Sequence, residues 1–95
     1  MIITAELSLY PLRDGAISTI VDFIHDLRGH LDAHANGGVE IVTNQLSTQL
    51  CGEYEAVTGA INICMRRVMD ADGTVVVVVK YLNVDKPIGQ TPRVD

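Results

Sequence analysis

Apolar and polar residues alternate from Ile3 to Leu9, with Ile3, Ala5, Leu7 and Leu9 on one side and Thr4, Glu6 and Ser8 on the other. This period of two predicts a half-buried strand. Tyr10, Pro11 and Leu12 are expected to end it, because proline lacks the amide hydrogen that continues a ladder, and Asp14 with Gly15 offers a helix start. From about Ala16 to His34 the period changes. Ile17, Ile20, Val21, Ile24, Leu27 and Leu31 recur at steps of three and four, the apolar stripe of a helix packed on one side. Asp22, Asp26 and Asp32 mark its other face, and Gly29 weakens it by roughly 1 kcal/mol, which makes that position a bend or an end. Asn36, Gly37 and Gly38 tolerate positive backbone angles and are expected to stop the helix, after which Val39 to Thr43 reads as a second strand.

The stretch TNQLSTQLCGE, Thr43 to Glu53, gathers Asn, Gln, Ser and Thr in an otherwise aliphatic chain. Asn44 and Gln45 predict a turn; beyond it Leu46, Thr48 and Leu50 are expected to point into the core, with Ser47, Gln49 and Cys51 on the opposite face of a third strand. Val57, Ala60, Ile61, Cys64 and Val68 then trace a second helical stripe, opened by Glu53 and Glu55, whose carboxylates complement a helix N-terminus. Gly59 within it is expected to let the helix approach the sheet closely. Asp70, Asp72 and Gly73 predict a turn into a last strand, Thr74 to Leu82.

The order β, α, β, β, α, β predicts an α+β, ferredoxin-like sandwich, a four-stranded antiparallel sheet with both helices on one face. In its usual strand order, 4-1-3-2, the first and third strands are central neighbours, so Glu6 and Ser8 can meet Ser47 and Gln49 on the same sheet face. Val75 to Val79 is apolar at every position although its strand lies at an edge with one face under the helices. A second subunit is the simplest cover for the other face, which predicts a homo-oligomer built through the sheet. Residues 1–85 form the expected single domain. Residues 86–95, with Pro87, Gly89 and Pro92, read as a loop-like tail that reaches a neighbour or lacks order.

Composition narrows the function classes. At 95 residues, 47% hydrophobic and 20% charged, the chain suits one folded domain with one core. Seven basic against twelve acidic residues, a formal charge of −5, argue against nucleic acid as a partner, and Arg66 with Arg67 reads as a solvated helix edge. The longest aliphatic run spans Val75 to Val79, whereas a membrane-spanning helix needs about twenty residues, so no membrane partner is expected. Without a visible export signal the expected location is cytoplasmic. Cys51 and Cys64 lack the spacing of a metal knuckle and read as reduced, Cys64 on the apolar stripe of the second helix.

Glu6 is the ionisable side chain of the first strand, and the expected neighbours across the sheet are hydroxyls and amides, a set suited to holding a small polar ligand. A catalytic site would bring a histidine or a second carboxylate to the same patch, and none is in view, so binding outweighs catalysis and no cofactor is called for. An enzyme reading would rest on Cys51 as nucleophile. His30 and His34 stand four apart and can share a metal, but the glutamate of the HExxH pattern is missing, and two solvated histidines, with Asp26 beside His30, are the simpler reading.

Three segments resemble one known family: AELSLYPL at Ala5 to Leu12, TNQLSTQLCGEYEAV at Thr43 to Val57, and VVVKYLN at Val77 to Asn83. Together, over about Thr4 to Asp85, they are similar in order and spacing to the small thiamine-binding protein family, single-domain relatives of the bacterial thiamine and hydroxymethylpyrimidine binding proteins. The resemblance implies a ferredoxin-like fold, a homodimer or homotetramer, and a non-enzymatic protein whose ligand is thiamine or its pyrimidine precursor. It implies ligand contacts at Glu6, Ser8 and Tyr10 in the first segment and at Asn44, Ser47, Thr48 and Gln49 in the second. Leu46 departs from relatives that carry Met before the Ser-Thr pair. The alternative is an oligomeric interaction module that uses the same sheet for assembly alone.

Overall fold

A computed structural model describes residues 1–12, 15–35, 38–71 and 73–92. Its central element is β1 (Ile2–Pro11), whose odd positions Ile3, Ala5, Leu7 and Leu9 are buried under the helices. With β2 (Val39–Thr43), β3 (Thr48–Glu53) and β4 (Val75–Leu82) it forms a four-stranded antiparallel sheet in the order β2-β3-β1-β4. The helices α1 (Ala16–His34) and α2 (Tyr54–Ala71) complete the expected ferredoxin-like sandwich. The core joins β1 and Leu50 of β3 to Phe23, Leu27 and Leu31 of α1 and to Val57, Ala60, Ile61, Cys64 and Val68 of α2.

β1 does not stop at Leu9: Tyr10 and Pro11 pair with Val76 and Val75 of β4. The Leu12 amide donates to the Thr74 carbonyl at 3.1 Å, so even positions of β1 turn their backbone groups toward β4. Backbone groups alternate sides along an antiparallel strand, so odd positions face β3. The hydrogen that Pro11 lacks would point to that side, where β3 has already ended at Thr48. The proline therefore removes no ladder bond.

The bounds of α1 are those expected, but its buried line is Thr19, Phe23, Leu27 and Leu31. Ile17 (78% exposed) and Val21 are left outside, while Ile20 packs against the edge of the core. Rotating the helix toward Phe23 buries its ring, a larger apolar side chain than either of the two left at the far edge of the stripe. α1 does not end at Gly29, which lies on its exposed side. The expected start at Asp14, the stop at Asn36 and Gly37, and Asp72 in the later turn lie outside the described residues.

All five predicted core positions of α2 are buried. Glu53 closes β3 instead of opening the helix, whose first turn carries Glu55. Gly59 does not face the sheet: it lines a groove between the helices with His30 and His34, and a Cβ there would meet nothing within 4 Å. Arg67 of α2 donates to Asp26 of α1 at 2.7 Å, an exposed link between the helices.

After β4 the chain turns back over the open sheet face. The Thr4 hydroxyl donates to the Val84 carbonyl (2.7 Å) and accepts from the Lys86 amide (3.0 Å), and the Cys51 thiol donates to Asp85 (3.1 Å). Further on, Gly89 lies against the Glu40 carboxylate of β2. Residues 83–89 therefore cross one end of the face, which explains why Thr4 is buried although it points away from the helices. The other end, with Glu6, Ser8, Tyr10, Val76 and Val78, is left open. Residues 93–95 of the tail lie outside the described residues.

Candidate functional site

On the open end of the face, the β1–β3 register sets Glu6 opposite Gln49, and the turn before β3 brings Ser47 alongside. The Ser47 hydroxyl donates to Glu6 Oε2 at 3.0 Å, and Gln49 Nε2 donates to Ser47 Oγ at 3.4 Å. On its other side the register sets Glu6 opposite Lys80 of β4, whose Nζ stands 3.5 Å from Oε1. Lys80 was not anticipated, since the partners expected for Glu6 were hydroxyls and amides. Its signal was available: it is the one charged residue of the β4 run VVVVVKYL, and the alternation puts it with Val76 and Val78 on the face that carries Glu6.

Asn44 builds the turn. Its Oδ1 accepts from the amides of Leu46 (2.9 Å) and Ser47 (3.1 Å), and its own amide donates to the Ser47 carbonyl (3.0 Å). These bonds replace strand pairing, so β3 begins only at Thr48. Leu46, expected in the core, is 87% exposed at the tip of this turn, because the side-chain alternation starts after it. Its carbonyl accepts a bond from the Ser8 hydroxyl at 3.4 Å. Thr48 is buried on the helix side, its hydroxyl 3.1 Å from that of Thr43.

Where β1 outruns β3, a cleft of about 210 Å³ opens between the end of β1, the 44–48 turn and the side of α1. Ser8, Tyr10, Asn44, Ser47 and Thr48 line it on the strand side, and Ile20, Phe23 and Ile24 form the opposite wall. The sequence-predicted residues thus divide into two connected parts. Glu6 and Gln49 lie on the open face and the other five line the cleft, Ser8 and Tyr10 from the rim of that same face and Ser47 through its bond to Glu6. The Ile20, Phe23 and Ile24 wall was missed as part of a site, because Ile20 and Ile24 read as core positions of the helix and Phe23 falls outside the stripe they belong to. The cleft lies below the roughly 300–1,000 Å³ of sites that enclose a drug-sized ligand, a size for one aromatic ring.

The remaining candidates are separate from this site. Burial and the hydrogen bond to Asp85 push the Cys51 thiol above its ordinary range, which opposes the thiolate that a nucleophile requires. Burial, with Asp26 nearby, pushes Cys64 up to about 12. His30 and His34 stack with centroids 4.2 Å apart, and His34 Nδ1 lies 3.0 Å from the His30 carbonyl. Desolvation first, then His34 and Arg67, hold His30 below its ordinary value against the opposing pull of Asp26. Among the described residues no three His, Cys, Asp or Glu side chains gather in a metal-binding cluster. No described helix is long and apolar enough to cross a membrane.

No protein-family model matches the chain, and neither does any curated protein. Solved structures do. A hypothetical protein from Methanocaldococcus jannascii is 20% identical with a TM-score of 0.67, covering 88% of this chain and 81% of that one. A domain of unknown function, DUF77, from Bacillus cereus is 16% identical at a TM-score of 0.68 over 90% of this chain and 78% of its own. A Thermotoga maritima protein described as a candidate for thiamine biosynthesis or salvage is 14% identical at a TM-score of 0.68, covering 97% and 90%. At such identities the likeness establishes the fold alone.

Proposed function

We propose that this protein binds thiamine or its hydroxymethylpyrimidine precursor without catalysing a reaction, and so buffers, senses or delivers it. The observation that carries this reading is the bond from Ser47 to Glu6, which joins an anionic group on the open face to a ring-sized cleft. Thiamine couples an aminopyrimidine to a cationic thiazolium. The pyrimidine suits the cleft, against Phe23 and the hydroxyls and amide of Ser8, Asn44 and Ser47. The thiazolium then lies toward Glu6, where opposite charge favours it. The description of the Thermotoga maritima structural neighbour supports the same ligand class. Titration calorimetry with thiamine and with hydroxymethylpyrimidine tests the reading. Saturable binding is expected, with Glu6→Gln weakening thiamine by about 1.5–3 kcal/mol. Absence of binding for both compounds overturns it.

Assembly into a homodimer or homotetramer belongs to the same proposal. Tyr10, Val76 and Val78 are each more than two-fifths exposed on the half of the sheet that the tail leaves open. An apolar sheet face of this kind favours cover by a second copy. The same observation favours the second reading, a module whose sheet serves assembly only, which predicts oligomers without a saturable ligand.

A further inference from the structure

β1 is paired with β4 as far as Pro11, but with β3 only as far as Leu7, opposite Thr48. The turn built by Asn44 ends the pairing where β3 would have continued, and there the Leu46 carbonyl accepts from the Ser8 hydroxyl at 3.4 Å in place of a ladder bond. Odd positions of β1 face β3, as the bond from the Tyr54 amide to the Met1 carbonyl (2.9 Å) shows at the other end of the strand. Leu9 is the next odd position after Leu7. Its side chain is buried toward the helices, while its main-chain donor and acceptor point into the gap that the cleft occupies. Pro11, the position after that, has no hydrogen to offer. The overhang therefore presents one N–H and, beside it, the C=O of the same residue.

We propose that the main-chain N–H and C=O of Leu9, left without a β3 partner, are the specificity element of the cleft and read the edge of a heteroaromatic ring that carries a donor beside a ring acceptor. An extended residue holds these two groups on one edge, and in a sheet the neighbouring strand answers them with an acceptor and a donor. An amine next to a ring nitrogen offers the same pair in one plane, with the Phe23 wall against the ring face. A thiazolium has no such edge, so of the two halves of thiamine the aminopyrimidine is the one read here. A backbone group partly shielded from water gains most from this match, since an unanswered donor or acceptor there is costly.

This inference rests on the proposed binding function, and one set of measurements separates the two. In the free protein, amide hydrogen exchange at Leu9 is expected to be faster than at Ala5 and Leu7, which β3 pairs. Titration with hydroxymethylpyrimidine, followed by amide resonances, is expected to shift Leu9 strongly and slow its exchange. The analogue with a methyl group in place of the amine is expected to bind about tenfold more weakly or worse. If the pyrimidine binds but the Leu9 amide is unmoved and the methyl analogue binds equally well, the assignment of Leu9 is wrong while the binding function stands. Slow exchange at Leu9 in the free protein contradicts the unpaired edge itself. If neither compound binds, both fall together.

Discussion

Glu6 is shared between Ser47, 3.0 Å from one carboxylate oxygen, and Lys80, 3.5 Å from the other. Lys80 is a resident cation in the place where a cationic ligand would be held, and its side chain is 71% exposed, so the pair is screened by water. Lys80→Met is therefore expected to change stability by less than about 1 kcal/mol while strengthening thiamine binding up to about fivefold, as measured by denaturant melts and calorimetry. Weaker binding in this variant would show that Lys80 helps to hold the ligand instead of competing with it. At this scale the sequence was legible where register followed from alternation: Glu6, Ser47 and Gln49 meet as the strand order implies. Leu46 was misplaced because the two backbone bonds to Asn44 delay the strand by one apolar position. Lys80 was overlooked because it sits in a run that otherwise reads as uniformly apolar.

The two helices differ in how clearly their packing could be read, and the reason is the number of apolar lines each carries. α2 has one long line, with Ile63 and Met69 exposed singly outside it, and its five expected core residues are all buried. α1 has apolar side chains around much of its circumference, so the pattern admits more than one rotation, and the choice is made by the fit of Phe23 against the sheet. Phe23→Ala is accordingly expected to cost about 3–5 kcal/mol in chemical denaturation. Ile17→Ser, at a position the pattern alone puts in the core, is expected to change stability by no more than about 0.5 kcal/mol. Equal costs would mean that the helix is rotated as the pattern suggested. Phe23 also walls the cleft, so its truncation should weaken ligand binding beyond its effect on folding. The extension of β1 through Pro11 was hidden for a different reason: a proline ends a strand that is paired on both sides, and here one partner has already stopped.

At the scale of the molecule, the open sheet face is divided between residues 83–89 at one end and the exposed Tyr10, Val76 and Val78 at the other. The apolar run of β4 pointed to a need for cover, while the path of the tail depends on two bonds of Thr4 and one of Cys51 that no pattern announces. If a second copy covers the open end, sedimentation will show a dimer or tetramer, and Val78→Glu will shift it toward monomer without unfolding the chain. A monomeric parent protein would remove the assembly proposal and leave the ligand site to stand within one subunit. The ligand proposal is tested most directly by a crystal of the protein soaked with thiamine. The expected result is continuous density with the pyrimidine in the cleft beside Ser47 and Phe23 and the thiazolium against Glu6. A cleft without ligand density, beneath an open face packed dry against another subunit, would contradict it and favour an assembly module.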